Sequence, residues 1–254
     1  MTQTGPDHLP RSEREDRLLA GRVRLLQPRE GYRAGMDAVL LAAACDATDG
    51  QRVADLGCGA GAVLLSAAVR LEQTHFVGIE RDGDTALLAS QNIILNGLQH
   101  RASVVQADVA GRFAKLGLEP FDAVLCNPPY FDDPAAMRAP HPARAGAYLA
   151  DDGLEAWTGF LQKAVREGGS ITVIHRADRL VELLSLLGAG AGSLRVRPIH
   201  PFADAPAKRV IVRAIKTGKA PLALLPPLIL HDRSGAKHTS EAEALLRGEA
   251  VLTW

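Results

Sequence analysis

The sequence predicts an α/β domain in which helices cover both faces of a mostly parallel sheet. Short β-branched runs alternate with helical patterns between residues 52 and 187, as in parallel strands that are joined by crossover helices. Of the 254 residues, 47% are hydrophobic and 23% are charged, which suits one large domain with a buried core. No apolar run reaches membrane-spanning length, so a soluble protein is expected.

Three segments are predicted along the chain. Residues 1–20 are polar with mixed charge and are expected to form a flexible N-terminal arm. Residues 21–50 are expected to form a short hairpin and a helix that pack on the core. Residues 51–254 contain the alternating pattern and are predicted to form the main domain.

Seven strands are predicted in the main domain, each marked by a short run of β-branched and apolar residues. They cover residues 52–56, 76–79, 103–105, 122–126, 170–175, 194–199 and 209–215. Helical patterns fill most of the intervals between them. The last two strands have no clear helix between them, which predicts an antiparallel strand at one edge of the sheet.

A glycine-rich turn follows the first of these strands and precedes a helix. Residues 55–61 read D-L-G-C-G-A-G, so the backbone can turn tightly and a ligand can approach without meeting a Cβ atom. The spacing is G-x-G-x-G, and Asp55 before the first glycine suits a cationic amino acid group better than a pyrophosphate. Glu80 ends the next strand, where its carboxylate can accept hydrogen bonds from two ribose hydroxyls.

A second motif, N-P-P-Y, follows the fourth strand at Asn127, Pro128, Pro129 and Tyr130. The two prolines fix the backbone and cannot continue a strand, so the loop is rigid. The lone pair of an amide or exocyclic amino nitrogen is delocalised into the adjoining π system. The Asn127 side-chain oxygen and the Pro128 carbonyl can accept both hydrogens of such a nitrogen, and Tyr130 can stack on the planar group.

The two motifs resemble those of class I methyltransferases, which have a Rossmann-like, seven-stranded sheet and bind S-adenosylmethionine. N-P-P-Y is similar to the signature of enzymes that methylate adenine N6, guanine N2 or glutamine N5. The resemblance implies that the catalytic residues are Asn127, Pro128, Pro129 and Tyr130. It implies a cofactor site that is formed by Asp55, Gly57, Cys58, Gly59, Gly61, Glu80, Arg81, Asp108, Val109 and Asn127.

The segment before the first motif indicates the substrate. Residues 27–41, Q-P-R-E-G-Y-R-A-G-M-D-A-V-L-L, resemble the bacterial family that methylates adenine N6 beside the anticodon of a valine tRNA. This resemblance implies that Asp37 lies near the methionine end of the cofactor. Three alternatives stay open at this point: a release-factor glutamine-N5 methyltransferase, an rRNA guanine-N2 methyltransferase, and a non-catalytic module that binds the cofactor.

Charge and cysteine content limit the partners. The net charge is zero, which argues against a wholly basic nucleic-acid binder, but residues 195–219 contain seven basic residues and one acid. Three separated cysteines form neither a disulfide framework nor a metal site, and with no signal peptide a cytoplasmic location is expected. A homo-oligomer is compatible with the sequence. Contacts with RNA are expected at Arg138, Arg144, Arg197, Lys208 and Arg209.

Overall fold

The computed structural model describes residues 13–28, 34–129, 153–233 and 235–254. Eleven strands occur in this part of the chain, in a two-stranded sheet and a nine-stranded sheet. The two-stranded sheet contains β1 (Glu13–Leu18) and β2 (Val23–Pro28). The larger sheet contains β3 (Arg52–Leu56), β4 (His75–Glu80), β5 (Ala102–Gln106), β6 (Phe121–Cys126), β7 (Val165–Arg176), β8 (Ala191–His200), β9 (Arg209–Lys216), β10 (Ala223–Leu224) and β11 (Leu228–Ile229).

The large sheet has the order β10-β8-β9-β7-β6-β3-β4-β5, and β11 also pairs with β8. The prediction of a mostly parallel α/β sheet is confirmed, and all seven predicted strands are present as β3 to β9. Two details differ from the prediction. The two-residue strands β10 and β11 raise the strand number above seven. The antiparallel strand β9 lies between β7 and β8 instead of at the edge, because only a loop over residues 201–208 joins it to β8.

Helices pack on both faces of the large sheet. They are α1 (Met36–Ala43), α2 (Ala62–Arg70), α3 (Gly83–Leu95), α4 (Leu154–Ala164), α5 (Leu180–Gly188) and α6 (Ser240–Arg247). One buried apolar cluster contains residues of the hairpin, α1, α2 and α6, and a second contains residues of α4 and α5. Helix α3 begins after Asp82, whose carboxylate accepts hydrogen bonds from the backbone N–H and the hydroxyl of Thr85.

The N-terminal hairpin begins earlier than the sequence indicates. Strand β1 pairs with β2 from Glu13↔Pro28 to Leu18↔Val23, so residues 13–20 belong to the hairpin and not to a flexible arm. The sequence of β1 is E-R-E-D-R-L, with no alternation of apolar and polar residues. The strand is held by its backbone pairing with β2, so it needs no buried apolar face. Residues 1–12 lie outside the described part of the chain.

Two asparagines, Asn92 on α3 and Asn96 directly after this helix, attach the hairpin to the main domain. The Asn92 side chain accepts from the backbone N–H of Leu26 at 2.8 Å and donates to the Leu26 carbonyl at 2.9 Å. One turn later, Asn96 makes the same pair of hydrogen bonds with Arg24 at 2.9 and 2.7 Å. Asn92 also donates to the Ala60 carbonyl in the glycine-rich turn at 2.9 Å. The outer edge of β2 is therefore paired with side-chain amides.

We expect Asn92→Ala to lower the free energy of unfolding by about 2–3 kcal/mol. Asn92 is fully buried, so its removal leaves the polar groups of Leu26 and Ala60 without a partner in a place that water cannot easily reach. Asn96→Ala should lower the free energy of unfolding by only about 1 kcal/mol, because the groups that lose the equivalent bonds are partly exposed. Urea unfolding of both variants measures the difference, and equal losses would contradict this explanation.

Candidate cofactor and catalytic site

Strand register brings the predicted motifs together at one end of the sheet. Leu56, the last residue of β3, pairs with Ile79 of β4 on one side and with Cys126 of β6 on the other. Adjacent strands lie about 4.8 Å apart, so the loops that begin at Gly57, Glu80 and Asn127 are neighbours. Because the sheet order reverses between β3 and β6, this is the crevice in which open α/β sheets bind ligands.

The glycine-rich turn requires its three glycines. Gly57, Gly59 and Gly61 have φ angles of +68°, +55° and +92°, a left-handed conformation that side chains disfavour. The backbone N–H groups of Gly57 and Cys58 both donate to the Ile79 carbonyl, at 2.8 and 3.1 Å. These bonds hold the turn against the end of β4 and fix its exposed backbone for a ligand.

Glu80 joins the turn to the loop after β4. One carboxylate oxygen accepts from the backbone N–H of Gly59 at 3.0 Å, and the other accepts from that of Asp82 at 2.9 Å. Each carboxylate oxygen can accept more than one hydrogen bond, and Glu80 is partly exposed. Glu80 can therefore bind ribose hydroxyls while it holds both loops.

Asp55 lies beneath the turn and not on its surface. Only 1% of the residue is exposed, and its carboxylate accepts from the backbone N–H of Leu64 in α2 at 3.0 Å. Burial raises the pKa of Asp55 to about 7, and the nearby charge of Glu80 adds to the rise. Asp55 thus ties β3 to α2, and any effect of its charge on a cationic ligand acts from below the loop.

The loops after β4 and β5 meet through Arg81 and Asp108. The Arg81 Nη1 atom lies 3.6 Å from the Asp108 carboxylate, which also accepts from the backbone N–H of Ala110 at 3.0 Å. Val109, next in the chain, is partly buried and packs against the core. A carboxylate beside an apolar side chain suits an adenine ring, which carries an amino donor on a flat apolar surface.

Asn127 and Pro128 follow β6 directly at the same edge. Asn127 is partly exposed, Pro128 is buried and Pro129 is exposed, so the asparagine is accessible on a loop that its neighbour anchors. Tyr130, together with Arg138 and Arg144, lies outside the described residues.

Sequence reasoning missed Trp157, on the first turns of α4. A Cβ atom placed on Gly57 would lie 2.5 Å from Cη2 of Trp157, so the indole ring lies directly against the first glycine of the turn. Trp157 is partly exposed and forms a wall beside the loop after β3. An aromatic residue at this place in a helix resembles an ordinary core residue, and the sequence contains no local signal that distinguishes it.

The predicted RNA-contacting residues do not form one patch. Lys208 is exposed and Arg209 pairs with Asp37, from Nε to Oδ2, at 2.8 Å, and both basic residues lie at the catalytic edge of the sheet. Arg197 instead donates to the backbone carbonyls of Pro226 and Thr253 at 2.8 and 2.7 Å. Its guanidinium holds the C-terminal segment in place.

The described residues contain no group of three or more His, Cys, Asp or Glu side chains that could hold a metal ion. In the same part of the chain, none of the helices is long and apolar enough to cross a membrane. Cys45, Cys58 and Cys126 are free and buried, and burial raises the pKa of each thiol.

Asp55 predicts a pH dependence of stability. Its pKa is about 7 in the folded protein and about 3.9 in an unfolded chain, so the folded state holds a proton that the unfolded state has released. Stability is therefore lost as the pH rises from about 4 to about 7. Asp55→Asn keeps an oxygen for the Leu64 N–H and removes this loss.

At pH 8 the Asp55→Asn variant should melt on the order of 5 °C above the unsubstituted protein, and the two should melt together near pH 4. The exposed Asp49 provides a matched control, since Asp49→Asn should change neither value. Thermal unfolding at both pH values measures the effect. A variant that is less stable than the unsubstituted protein at pH 8 would show that folding does not raise the pKa of Asp55.

Comparison with known proteins identifies the family. The family model of the methyltransferase small domain matches residues 35–154. A tRNA1(Val) (adenine(37)-N6)-methyltransferase from Photorhabdus laumondii is 36% identical over 42% of this chain and 43% of its own length. An enzyme of the same name from Yersinia pestis is 32% identical over 61% of this chain and 62% of its own length. The matches thus span from under one half to about three fifths of these curated relatives.

Solved structures agree with the fold. A predicted O-methyltransferase from Agrobacterium tumefaciens has a TM-score of 0.71 and is 30% identical, over 85% of this chain and 98% of its own. An S-adenosylmethionine-dependent O-methyltransferase from Thermotoga maritima has a TM-score of 0.54 at 18% identity, over 76% and 69% of the two chains, and supports the fold alone. The sheet order, the glycine-rich turn with Glu80 and these similarities lead to one conclusion: this chain belongs to the class I, S-adenosylmethionine-dependent methyltransferases.

Proposed function

We propose that this protein uses S-adenosylmethionine to methylate an adenine N6 amino group in RNA. We propose further that the RNA is a tRNA and that the adenine lies near the anticodon. The observation that carries the proposal is the pairing of Leu56 with Cys126, which sets the Asn127-Pro128 loop beside the glycine-rich turn. Relatives named as tRNA adenine-N6 methyltransferases support the choice of substrate. A cytoplasmic protein would have access to that tRNA.

The residues around the turn fit the cofactor. Gly57, Gly59 and Gly61 leave backbone open to a ligand, and Glu80 is placed for the ribose hydroxyls. The loop of Arg81, Asp108 and Val109 would hold the adenine, and the turn at Cys58 would border the methionine end. The Asp55 carboxyl lies beneath this end, where a cationic ligand would favour its ionised form, and Asp37 lies at the same edge of the sheet. S-adenosylmethionine supplies a methyl group that is activated by a positively charged sulfur.

The chain's own contribution to catalysis is orientation. The Asn127 side-chain oxygen and the Pro128 carbonyl accept the two N–H groups of the target amino nitrogen, so that its lone pair faces the methyl group. Pro129 keeps the loop rigid and Tyr130 stacks on the adenine ring. Fixing the attack geometry supplies about 7–11 kcal/mol of the barrier. The adenine must be unpaired or turned out of its stack to reach this loop.

Basic residues at the same edge support an RNA substrate. Lys208 and Arg209 lie at the start of β9, two strands from β6. We place RNA phosphates near these two residues and near Arg138 and Arg144, which follow the catalytic motif in the chain. Arg197 is not expected to contact RNA, because its guanidinium donates to the carbonyls of Pro226 and Thr253.

Product analysis tests the proposal. Purified protein, tritiated S-adenosylmethionine and total tRNA from a strain that lacks the gene should give label that digests to N6-methyladenosine. Release factors, rRNA and hydroxyl acceptors are incubated in parallel, because related enzymes methylate glutamine N5, guanine N2 or oxygen. Label only in one of these acceptors would retain the fold and reject the tRNA adenine substrate.

Asn127→Ala should lower turnover by about 100-fold or more and leave the affinity for S-adenosylmethionine almost unchanged, because it removes one preorganised hydrogen-bond acceptor. Asn96→Ala serves as a matched control that makes the same substitution away from the site. Single-turnover kinetics and calorimetric titration of the cofactor separate the two effects. Full activity in Asn127→Ala would exclude the catalytic role, and a non-catalytic binding protein would show no turnover before the substitution.

Trp157 should report cofactor binding. The chain has two tryptophans, and Trp254 is remote from the turn, with its indole N–H bound to the Ala44 carbonyl at 2.9 Å. S-adenosylmethionine should change the intrinsic fluorescence of the unsubstituted protein and of Trp254→Phe by a similar amount. Trp157→Phe should lose the signal. A signal that disappears only in Trp254→Phe would place the cofactor elsewhere.

A further inference from the structure

Two loops beyond the end of β8 bring planar side chains together. Phe202 follows β8, and His231 and Arg233 follow β11. The ring centroids of Phe202 and His231 are 5.4 Å apart, and His238 stacks on His231 at 5.1 Å with an angle of 27° between the rings. The Arg233 Cζ atom lies 4.5 Å from the centre of the Phe202 ring. We call Phe202, His231, Arg233 and His238 the ring cluster.

The ring cluster is held in place, its rings are partly buried, and its arginine is open to solvent. Arg233 is bound to the Asp204 carboxylate at 3.0 Å while 66% of its side chain is exposed. The His231 Nδ1 atom lies 2.7 Å from the Lys237 carbonyl, which fixes the ring orientation. A guanidinium over an aromatic ring can offer its outer face as a second planar surface, and RNA-binding proteins stack unpaired bases on such surfaces.

The ring cluster lies at the same edge of the sheet as the catalytic loop. Strand register leads from Cys126 to β7, where Arg176 pairs with Arg209 of β9, and then to the ends of β8 and β11. Four strand steps of about 4.8 Å, with an offset of five residues along the strands at about 3.3 Å each, place the loop after β11 about 25 Å from Asn127. A short stretch of single-stranded RNA can cover this distance.

Two exposed lysines flank this path. Lys208 precedes β9 and Lys237 adjoins His231. Within the described part of the chain, no carboxylate pairs with either ammonium group, so both are available to phosphates. Planar groups for bases together with free ammonium groups for phosphates form the combination that single-stranded nucleic acids require.

We propose that the ring cluster binds an unpaired nucleotide of the RNA substrate, while Lys208 and Lys237 contact the adjacent phosphates. The inference rests on the proposed function and adds a second contact to it, about 25 Å from the methylated adenine. A duplex cannot use the stacking surface, because its bases are already stacked and paired. The ring cluster therefore favours a looped RNA over a paired one.

The test measures binding of a fluorescein-labelled anticodon stem–loop of valine tRNA and of a fully paired RNA of equal length. Phe202→Leu and Arg233→Gln should each weaken binding of the stem–loop by about 5- to 100-fold and leave binding of the duplex unchanged. Lys208→Gln should weaken both and reduce the salt dependence by about one counterion. Arg247→Gln removes an arginine that is also paired with an exposed carboxylate, that of Glu249, and should change neither.

Melting temperature and cofactor affinity show whether each variant is folded. In the methylation assay, the variants of the ring cluster should raise KM for tRNA and keep kcat. Variants that bind the stem–loop as tightly as the unsubstituted protein would overturn the ring-cluster proposal, while methylation of tRNA by that protein would leave the proposed function intact. If the unsubstituted protein neither binds nor methylates RNA, both proposals fail.

Discussion

The pairing of β3 with β4 on one side and with β6 on the other determines where every part of the site lies. Leu56 is the last paired residue in both directions, so three loops leave the sheet at one level. A shift of the register by one residue would turn each side chain to the opposite face and would separate Glu80 from the Gly59 N–H that it binds. The chemistry of the site therefore depends on backbone pairing in the middle of the sheet.

Hydrogen-bonding side chains transmit this order to the glycine-rich turn. Asp55, in the strand before the turn, accepts from Leu64 in the helix after it. Glu80 binds the turn from the end of β4, and Asn92 binds it from α3. Such groups are costly to bury unless they are hydrogen-bonded. The raised pKa of Asp55 shows that burial still disfavours its charged form. The turn is thus fixed in a conformation that leaves backbone exposed, at the expense of some stability.

Much of the fold and the main motifs could be predicted from the sequence, because they depend on local pattern. The seven long strands followed from β-branched runs, and the cofactor turn followed from its glycines and the acid before them. The contacts of Asn92 and Trp157 could not be predicted, since each joins segments that are far apart in the chain. Strand β1 was missed because its charged sequence carries no periodicity, and Arg197 looked accessible because its partners lie at the C-terminus.

A protein with no net charge presents a positive edge because local ion pairs offset some of its basic residues and leave others unpaired within the described residues. The basic run between residues 195 and 219 is divided by the strands, and Arg213 pairs with Asp46 away from the catalytic loop. At the catalytic edge, Asp37 offsets the charge of Arg209 in a partly buried ion pair. Lys208 and Lys237 then supply the charge that no described carboxylate offsets. Local pairing, and not overall composition, decides where this surface can attract a phosphate backbone.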